Sequence, residues 1–255
     1  MKVVILAGGY GTRLAEYTSL MPKPMVQIGN KPILEHIMMS YSKFGFQDFY
    51  LALGYKGNII KDYFYKYQII NSDFQVDLSD GSVSPYYKHS PGWKISLIDT
   101  GIDSMTGGRL LRLREFISDD TFLMTYGDAV SDVNIEKILQ FHKSHGKLVT
   151  ITAVRPPARF GEMEINNNNE VVSFAEKPQI REGWINGGFF VFEPAFLDYL
   201  DNDLTVLEKK PLEMAARNNQ LMAFYHEGFW QCMDTKRDKD FLENMINAKN
   251  TPWLN

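Results

Sequence analysis

Disulfides, membrane spans and a basic surface are all missing from this sequence. Its 255 residues contain one cysteine, Cys232, so no disulfide can form within the chain and a reducing compartment is expected. No apolar run approaches the roughly 20 residues that a membrane span needs, and the N-terminus carries no signal-peptide pattern. Acidic residues outnumber basic ones, 31 against 27, which disfavours broad nucleic-acid binding. We therefore expect a cytoplasmic protein that binds neither membranes nor nucleic acid.

Histidine and cysteine give no catalytic or metal-binding pattern either. His142 and His145 stand three residues apart in a predicted helix with no third ligand close in sequence, which is typical of a solvated helix face. Cys232 has no base partner close to it in sequence, and no G-x-S-x-G motif marks a nucleophilic serine. Hydrophobic residues make up 44% and charged residues 23%, which is ordinary for a globular protein whose length allows one large core.

Apolar strands alternate with amphipathic helices in the first 154 residues. Predicted strands cover 3–6, 49–53, 121–126 and 147–154, and predicted helices cover 33–44, 57–67, 107–117 and 134–145. Strand, helix and strand in repetition indicate an α/β fold with a mostly parallel, twisted sheet that has helices on both faces.

The second half of the sequence is less regular. Strands are predicted near 162–166, 171–176 and 187–192, with a hairpin turn at 166–170, and a terminal helix over 235–248. The polar segment 71–93 is too long for a plain connector and is either an arm that reaches a neighbouring subunit or a mobile lid. The sequence shows no linker or internal repeat, so residues 1–255 are expected to form one domain with small β additions.

The most informative motif is LAGGYGTRL at 6–14, where a short apolar strand runs into three glycines. The glycines let backbone N–H groups approach an anion, in dihedral angles that a Cβ atom would forbid. Thr12 is expected to cap the following helix, whose N-terminus attracts phosphate. Arg13 and Lys23 add two cations. The combination predicts a polyphosphate site, whereas glycines alone would fit a plain turn equally well. The three glycines are Gly8, Gly9 and Gly11.

The spacing of this motif excludes two better-known phosphate loops. A dinucleotide fingerprint that starts at Gly9 needs glycine or alanine where the chain has Leu14. A P-loop that starts at Gly8 needs glycine, lysine and a hydroxyl residue where the chain has Arg13, Leu14 and Ala15. The glycine loop is therefore neither a dinucleotide fingerprint nor a P-loop.

Carboxylates stand at two positions that suit a metal. Asp128 follows a buried strand, and α/β proteins bind ligands at the carboxyl ends of their parallel strands. Mg²⁺ takes one or two carboxylates and fills its other positions with phosphate and water, so Asp128 is a candidate ligand. Asp234 precedes the terminal helix and is the second candidate. Helix or turn capping is the structural alternative for both residues.

Two polar groups accompany strands of the second half. Glu176 and Lys177 close a strand, where an exposed ion pair without a function is the common alternative. Asn186 and the two glycines after it precede a buried strand, which suits close approach to a polar ligand.

In their order, these motifs resemble those of the sugar-1-phosphate nucleotidyltransferases. The matching segments are LAGGYGTRL, PKPM (22–25), YGD (126–128), EKP (176–178) and FWQCMDT (229–235). The segments DTG (99–101) and MTGGR (105–109), together with FWQCMDT, are similar to the branch of that family that uses CTP. The likeness covers nearly the whole chain and is weakest over 68–95. It implies a Rossmann-like nucleotidyltransferase fold of the glycosyltransferase-A type.

The resemblance also implies a reaction and a set of residue roles. CTP and α-D-glucose 1-phosphate would give CDP-glucose and diphosphate, for the dideoxysugars of bacterial surface polysaccharides, in a homo-oligomer. Arg13 and Lys23 would be catalytic, with Lys23 between the attacking and the attacked phosphates, and Asp128 and Asp234 would hold Mg²⁺. The implied nucleotide-binding residues are Leu6, Ala7, Gly8, Gly9, Tyr10, Gly11, Thr12, Arg13, Lys23, Ser104, Arg109 and Gly127. The implied sugar-phosphate-binding residues are Glu176, Lys177, Asn186 and Gly188. One departure from the family pattern is Ala129, where a glycine usually follows YGD.

The absence of a dedicated base agrees with this chemistry. A phosphate monoester has a second pKa of about 6, so its oxygen is already an anionic nucleophile at neutral pH.

Two alternatives stay open. The first is the same reaction with UTP, dTTP or another phosphorylated acceptor, because base choice depends on few hydrogen bonds. The second is a non-catalytic nucleotide-sugar-binding regulator on the same fold. The second is disfavoured because the charged residues expected of an active enzyme are all present. They are Arg13, Lys23, Asp128, Lys177 and Asp234.

Overall fold

The structure is a computed structural model that describes residues 1–86, 90–156, 162–165, 167, 169–175 and 183–254. The strands are β1 (Lys2–Leu6), β2 (Gln27–Ile28), β3 (Lys31–Pro32), β4 (Asp48–Leu53), β5 (Phe74–Asp77), β6 (Ser82–Pro85), β7 (Lys94–Asp99), β8 (Phe122–Tyr126), β9 (Ala129–Ser131), β10 (Val149–Val154), β11 (Glu162–Ile165), β12 (Val171–Ala175), β13 (Ile185–Phe192), β14 (Leu221–His226) and β15 (Trp230–Cys232). The helices are α1 (Ala15–Thr18), α2 (Ile33–Ser42), α3 (Gly57–Tyr65), α4 (Tyr67–Ile70), α5 (Thr106–Arg112), α6 (Arg114–Ile117), α7 (Ile135–His145), α8 (Lys210–Arg217) and α9 (Lys236–Asn247). Short 3₁₀ turns cover Thr12–Leu14, Lys23–Met25, Pro194–Tyr199 and Pro252–Leu254.

Within the described residues, seven strands form a central sheet in the order β14-β10-β13-β8-β1-β4-β7. The pairs β1–β4, β1–β8, β4–β7 and β10–β14 are parallel. Strand β13 runs antiparallel to both of its neighbours, β8 and β10. The predicted α/β fold with a mostly parallel sheet is confirmed.

Alternation along the strands supplies a core on each face of the sheet. Val3 and Ile5 of β1 lie in one buried cluster, and Val4 and Leu6 lie in the other. The first cluster includes buried side chains of α2, α3, α7 and α9, and the second includes side chains of α5, α6 and α8. Successive side chains of a strand point to opposite faces, so an all-apolar strand needs helices on both sides. None of the helices in the described ranges has the length and apolar character to cross a lipid bilayer.

The register of the central strands brings four loops to one edge of the sheet. Leu6 lies opposite Ala52 of β4 and opposite Tyr126 of β8. Leu53 in turn lies opposite Asp99 of β7. The loops after β1, β4, β7 and β8 therefore begin side by side. Strands β4 and β7 lie on one side of β1, and β8 lies on its other side. The strand order therefore changes direction at β1, and a crevice opens at this edge of the sheet, which is where open α/β sheets bind ligands.

Several details of the fold differ from the sequence predictions. The predicted helix over 107–117 is two consecutive helices, α5 and α6. The segment 71–93 contains the hairpin β5–β6, and the two-stranded ladders β2–β3 and β9–β15 were not predicted. Hairpin β11–β12 is confirmed, with residues 162–165 pairing with 171–175.

The prediction that His142 and His145 form a solvated helix face is wrong. His142 is 1% exposed; its Nδ1 lies 2.8 Å from Thr150 Oγ1 and its Nε2 lies 3.0 Å from Glu193 Oε1. His145 Nε2 contacts the same Thr150 hydroxyl at 2.8 Å. Both imidazoles attach α7 to the sheet, because a histidine that is buried needs hydrogen-bond partners.

Candidate active site

A cleft of about 640 Å³ lies at the edge of the sheet where the four loops begin. Its volume is in the range of small-molecule sites, which is about 300–1,000 Å³. The lining includes the following residues to which the sequence assigned nucleotide or metal binding: Leu6, Ala7, Gly8, Gly9, Tyr10, Gly11, Thr12, Arg13, Lys23, Ser104, Arg109, Gly127 and Asp128. The lining also includes Pro24, Ile102, Asp103, Met105, Thr106, Tyr126 and Leu204. The structure thus brings the predicted residues together, while their binding roles stay predictions.

The glycine loop turns at Gly11, which has a φ of 64° in the left-handed region. A Cβ atom there would lie 2.8 Å from Thr18 Cγ2, so the position favours glycine for both conformation and space. The predicted cap at Thr12 is wrong, because the 3₁₀ turn begins at Thr12 itself and shows no side-chain cap. Helix α1 has four residues. Any phosphate here would meet loop N–H groups more than the dipole of a long helix.

Gly8 serves a second purpose that the sequence did not indicate. A Cβ atom on Gly8 would lie 2.2 Å from Arg109 Nη1, and one on Gly54 would lie 2.5 Å from the same atom. The two glycines therefore leave the space in which the guanidinium of Arg109 lies. Gly8 and Gly9 do not have a positive φ, so the expectation that forbidden dihedral angles explain all three glycines holds for Gly11 alone.

The guanidinium of Arg109 lies beneath the cleft and joins the loop after β1, the end of β4 and the loop after β7. Its Nη2 donates to Gly8 O (2.9 Å) and Ile102 O (3.3 Å). Its Nη1 donates to Leu53 O, to Thr100 Oγ1 and to Gly101 O at 2.7–3.0 Å. Arg109 is 4% exposed, and burial lowers the pKa of its guanidinium. These bonds fix the floor of the cleft, and they engage donors that a nucleotide base would otherwise meet.

A second link joins two of the loops at the mouth of the cleft. The Tyr10 hydroxyl donates to Asp103 Oδ1 at 3.0 Å, and its ring lies 5.1 Å from the ring of Tyr55. The glycine loop and the 100–105 loop are thus held together from both sides. Ser104, which is 8% exposed, follows Asp103 in this loop and lines the cleft.

Two cations and two carboxylates form the charged group of the site. Lys23 Nζ lies 2.7 Å from Asp128 Oδ2 and 2.5 Å from Asp234 Oδ1. Arg13 also pairs with Asp234. Burial by itself would lower the pKa of the Lys23 ammonium, but the attraction of Asp128 and Asp234 outweighs it, and the pKa lies above its usual range. Lys23 is therefore fully charged at neutral pH.

A short ladder explains why the two carboxylates meet. β9 and β15 pair antiparallel with Ala129 opposite Cys232, and Met233 N donates to Asp128 O at 2.8 Å. This pairing places Asp128 directly beside Asp234. It also accommodates Ala129, the departure from the family pattern, as a buried strand residue.

Neither carboxylate is the cap of the helix that follows it. Thr235 caps α9 in a capping box with Asp238, and the Asn134 side chain caps α7 by accepting from Lys137 N. The helix-cap alternative is thus contradicted for Asp128 and Asp234, although Asp128 does lie in the turn between β8 and β9. Both carboxylates face Lys23 instead.

The donor set fits Mg²⁺ that arrives with a nucleotide. Asp128 and Asp234 each place an oxygen within hydrogen-bond distance of one ammonium, which is close enough for both to bind one cation. No group of three or more His, Cys, Asp or Glu side chains in the described residues could hold a metal without further ligands. Two carboxylates completed by phosphate and water are typical of Mg²⁺. Burial and then the charges of Asp234 and Asp128 raise the pKa of the nearby Cys232 thiol to about 12.

The predicted sugar-phosphate residues divide into two pairs. Because β13 is antiparallel to β8, its first residues lie at the same edge as the carboxyl end of β8. Asn186 Nδ2 donates to the Tyr126 hydroxyl at 3.3 Å, and Gly188 N donates to Asn186 Oδ1 at 2.8 Å. Glu176 and Lys177 lie outside the described residues. The described pair is thus adjacent to a residue that lines the cleft.

Sequence reasoning missed Asp103, Thr106 and Glu208. Glu208 accepts from the hydroxyls of Tyr126 and Thr106, both of which line the cleft. The MTGGR motif marked the neighbourhood of Thr106, but no local pattern marks Glu208, because its partners are about 80 and 100 residues away in the chain.

The fold and the cleft define the chain as an α/β protein with a nucleotide-type site at the carboxyl ends of its parallel strands. A family model described as nucleotidyl transferase matches residues 2–236, and the chain belongs to this family of nucleotidyltransferases. It is 50% identical to glucose-1-phosphate cytidylyltransferase of Salmonella typhimurium over 254 residues, which is 99% of this chain and 98% of the relative.

A further relative and a solved structure agree with the family assignment. The chain is 39% identical to a probable glucose-1-phosphate cytidylyltransferase of Bacillus subtilis over 99% of each chain. Its fold is similar to the crystal structure of a putative glucose-1-phosphate thymidylyltransferase from Bacillus anthracis in complex with a sucrose. That comparison has a TM-score of 0.69 and 16% identity, and covers 99% of this chain and 98% of the other.

The hydrogen bonds of Arg109 predict a large loss of stability on its removal. In Arg109→Met, the part-buried carbonyl groups of Gly101 and Ile102 lose their donor, whereas Leu53 O and Gly8 O keep bonds from Thr100 N and Tyr55 N. Each unsatisfied group costs about 1–3 kcal/mol. We expect the free energy of unfolding to fall by at least about 2 kcal/mol, measured by urea denaturation with tryptophan fluorescence. The matched control is Arg112→Met, an exposed arginine of the same helix, whose midpoint should stay near that of the wild type. Equal shifts in the two variants would contradict the role given to Arg109.

Proposed function

We propose that this nucleotidyltransferase transfers the cytidylyl group of CTP to α-D-glucose 1-phosphate and releases diphosphate. The observation that carries the proposal is the 50% identity, over nearly the full length of both chains, to a relative named glucose-1-phosphate cytidylyltransferase. The charged group around Lys23, within a cleft of suitable size, supports it. CDP-glucose would then be the product, for the synthesis of bacterial surface polysaccharide.

The nucleotide occupies the half of the cleft next to β1, β4 and β7. Backbone N–H groups from Leu6 to Gly11 bind its phosphates, with Thr12 and Arg13 at the end of the loop. The base lies against Gly8, Ser104 and the loop that Arg109 holds. Because the donors of Arg109 already bind carbonyl groups, its contribution to base choice is to shape the loop around Ser104.

The acceptor sugar phosphate occupies the other half, next to β8 and β13. The residues proposed to bind it are Asn186 and Gly188, together with Glu176 and Lys177, which lie outside the described residues. The support for the described pair is the antiparallel register of β13 with β8, which brings Asn186 beside Tyr126. The two phosphates that react then meet near Lys23, between the two halves.

The reaction needs positioning and charge neutralisation more than proton transfer. The acceptor phosphate is anionic at neutral pH, so no side chain has to act as a base. Lys23 exchanges its carboxylate partners for phosphate oxygens, and its positive charge opposes the repulsion between the two anions. Arg13 likewise exchanges Asp234 for the triphosphate. Asp128 and Asp234 would hold Mg²⁺, which when bound neutralises the phosphates and stabilises the leaving diphosphate.

We also propose that residues 1–255 form one domain whose inserted arm contacts a second copy of the chain. Phe74 and Val76 alternate with polar residues along β5, and Val76 lies opposite Val83. Their apolar face is solvent-exposed, with Val76 and Val83 each 43% exposed. An isolated two-stranded hairpin is marginally stable in water, so this face is expected to be covered in a homo-oligomer. With CTP as its substrate, we place the enzyme in the cytoplasm.

The nucleotide specificity tests the proposal directly. With glucose 1-phosphate and Mg²⁺, CTP should give kcat/KM at least about 100-fold above UTP or dTTP, because a site that hydrogen-bonds one base leaves polar groups unpaired with another. Diphosphate release is the measurement, and chelation of divalent cations should abolish it. Preference for UTP or dTTP would correct the nucleotide, and another acceptor would be found by the same assay with other sugar phosphates. Absence of turnover with any nucleotide would favour a regulator.

Removal of the Lys23 ammonium, which contacts both Asp128 and Asp234, should abolish most of the activity. Lys23→Ala is expected to lower kcat by about 100-fold to 1,000-fold, as removal of one charge-stabilising donor does in other enzymes. The control is Lys61→Ala, on α3 outside the cleft, which should keep wild-type kcat. Circular dichroism and thermal melting in the presence of Mg²⁺ report whether Lys23→Ala is folded. A folded variant with near-native turnover would contradict the role of Lys23.

The proposed role of the β5–β6 hairpin predicts that changes on its apolar face weaken the association of the chain with a second copy. Val76→Lys places a charge on the apolar face of the β5–β6 hairpin and should shift sedimentation toward smaller species, because burying an unpaired ammonium is costly. Gln75→Lys places the same charge on the opposite face of the same strand and should leave sedimentation unchanged. If both variants sediment like the wild type, the hairpin does not contact a second copy.

A further inference from the structure

Glu208 joins two walls of the cleft through its carboxylate. Oε2 accepts a hydrogen bond of 2.7 Å from Thr106 Oγ1 at the start of α5. Oε1 accepts a short hydrogen bond from the hydroxyl of Tyr126 at the end of β8. Since both oxygens already have protein partners, Glu208 is suited to orient its neighbours more than to bind a ligand itself.

The bonds continue from Tyr126 to the strand on the acceptor side. A tyrosine hydroxyl has one proton, and Tyr126 donates it to Glu208, so its oxygen is left to accept from Asn186 Nδ2 at 3.3 Å. Asn186 Oδ1 accepts from Gly188 N at 2.8 Å. The amide of Asn186 is thus oriented at both ends. Among the described residues its second Nδ2 hydrogen has no acceptor, and this donor matches an acceptor oxygen of a sugar phosphate.

The ring of Tyr126 is held in place independently of its hydroxyl. Gly188 has a φ of 82°, and a Cβ atom there would lie 2.6 Å from Tyr126 Cδ2, so glycine lets the ring lie against β13. The ring of Phe190 contacts it edge-on at 5.9 Å. Burial and then Glu208 raise the pKa of the Tyr126 hydroxyl, which keeps it protonated and able to donate. Loss of the hydroxyl alone should therefore leave the ring in position.

The MTGGR motif explains how Glu208 reaches the cleft. Gly107 N and Gly108 N donate to Thr205 O at 2.9 and 3.1 Å. A Cβ atom on Gly108 would lie 2.1 Å from Asp203 O, so the glycines let the 202–208 segment lie directly on the first turn of α5. This close approach brings Glu208 to the hydroxyls of Thr106 and Tyr126. The two glycines of the motif are thus accounted for by the segment that carries Glu208.

We propose that Glu208 is a positioning residue for the acceptor half of the site. Its carboxylate fixes the Tyr126 hydroxyl, which fixes the Asn186 amide with one N–H available to a hydroxyl or phosphate oxygen of the sugar phosphate. The inference rests on the proposed function, in that it takes the acceptor to lie beside β8 and β13. It assigns to Glu208 no contact with the nucleotide.

The test measures how each variant affects the two substrates separately. The variants Glu208→Ala and Tyr126→Phe should each raise KM for glucose 1-phosphate about fivefold to tenfold, the worth of about one oriented hydrogen bond, and leave KM for CTP within about twofold. Glu208→Gln should be intermediate, because its amide oxygen still accepts from Tyr126. The control is Glu213→Ala, an exposed glutamate of α8 that pairs with Arg217 and should behave as wild type.

The double variant separates positioning from a general structural effect. If Glu208 acts through Tyr126, the combination of Glu208→Ala with Tyr126→Phe should be no worse than either change alone. The proposal would be overturned if the effects of the two changes multiplied in the double variant. It would also be overturned if KM rose equally for both substrates, or if KM for glucose 1-phosphate did not change. Tyr126→Phe keeps the packed ring, so this variant tests the proposal even if Glu208→Ala is poorly folded.

The same experiment distinguishes this inference from the proposed function. Wild-type turnover with CTP and glucose 1-phosphate decides the proposed function, whereas ratios between variants decide the role of Glu208. If the wild type prefers another sugar phosphate, the proposed function is corrected, and the variants are measured with the preferred acceptor. The expected ratios are then the same, since Asn186 donates to any acceptor oxygen at this position.

Discussion

One ammonium between two carboxylates is the interaction on which the site depends. Lys23 comes from a turn after the glycine loop, Asp128 from the end of β8 and Asp234 from the end of β15. Two carboxylates this close would repel each other without a cation between them. With Arg13 the group contains two positive and two negative charges. Under the proposed function, a nucleotide with Mg²⁺ would exchange partners with these side chains without leaving a buried charge uncompensated.

A buried guanidinium gives the cleft its shape. Arg109 binds carbonyl groups of three separate loops, and glycines at 8 and 54 leave the space for it. The glycines of the motif therefore have different structural roles. Gly11 makes the turn, Gly8 admits the guanidinium, and the loop N–H groups are left to face an anion. Small changes beneath the loop would therefore alter the shape of the cleft, because the interior is close-packed.

Much of the fold could be predicted because periodicity is local. The continuous apolar run of β1 and the helical spacing of α2 and α7 are visible within a few residues, and the structure confirms them. The ladder β9–β15 was not predicted, since three-residue strands are too short for a pattern and their partners are far apart in the chain. The capping prediction for Thr12 was wrong because Thr12 lies inside the 3₁₀ turn that precedes α1. His142 is buried by tertiary contacts with Thr150 and Glu193.

The sequence by itself determined the class of fold, the glycine loop after β1 and the charged residues Arg13, Lys23, Asp128 and Asp234, which the structure brings together. Residue types and short spacings carry that information, because each motif is a contiguous segment. The tertiary structure alone decided that Asp128 and Asp234 share Lys23, that Arg109 supports the loops, and that Glu208 reaches Tyr126. These relations join residues distant in sequence, and strand order and register bring them together.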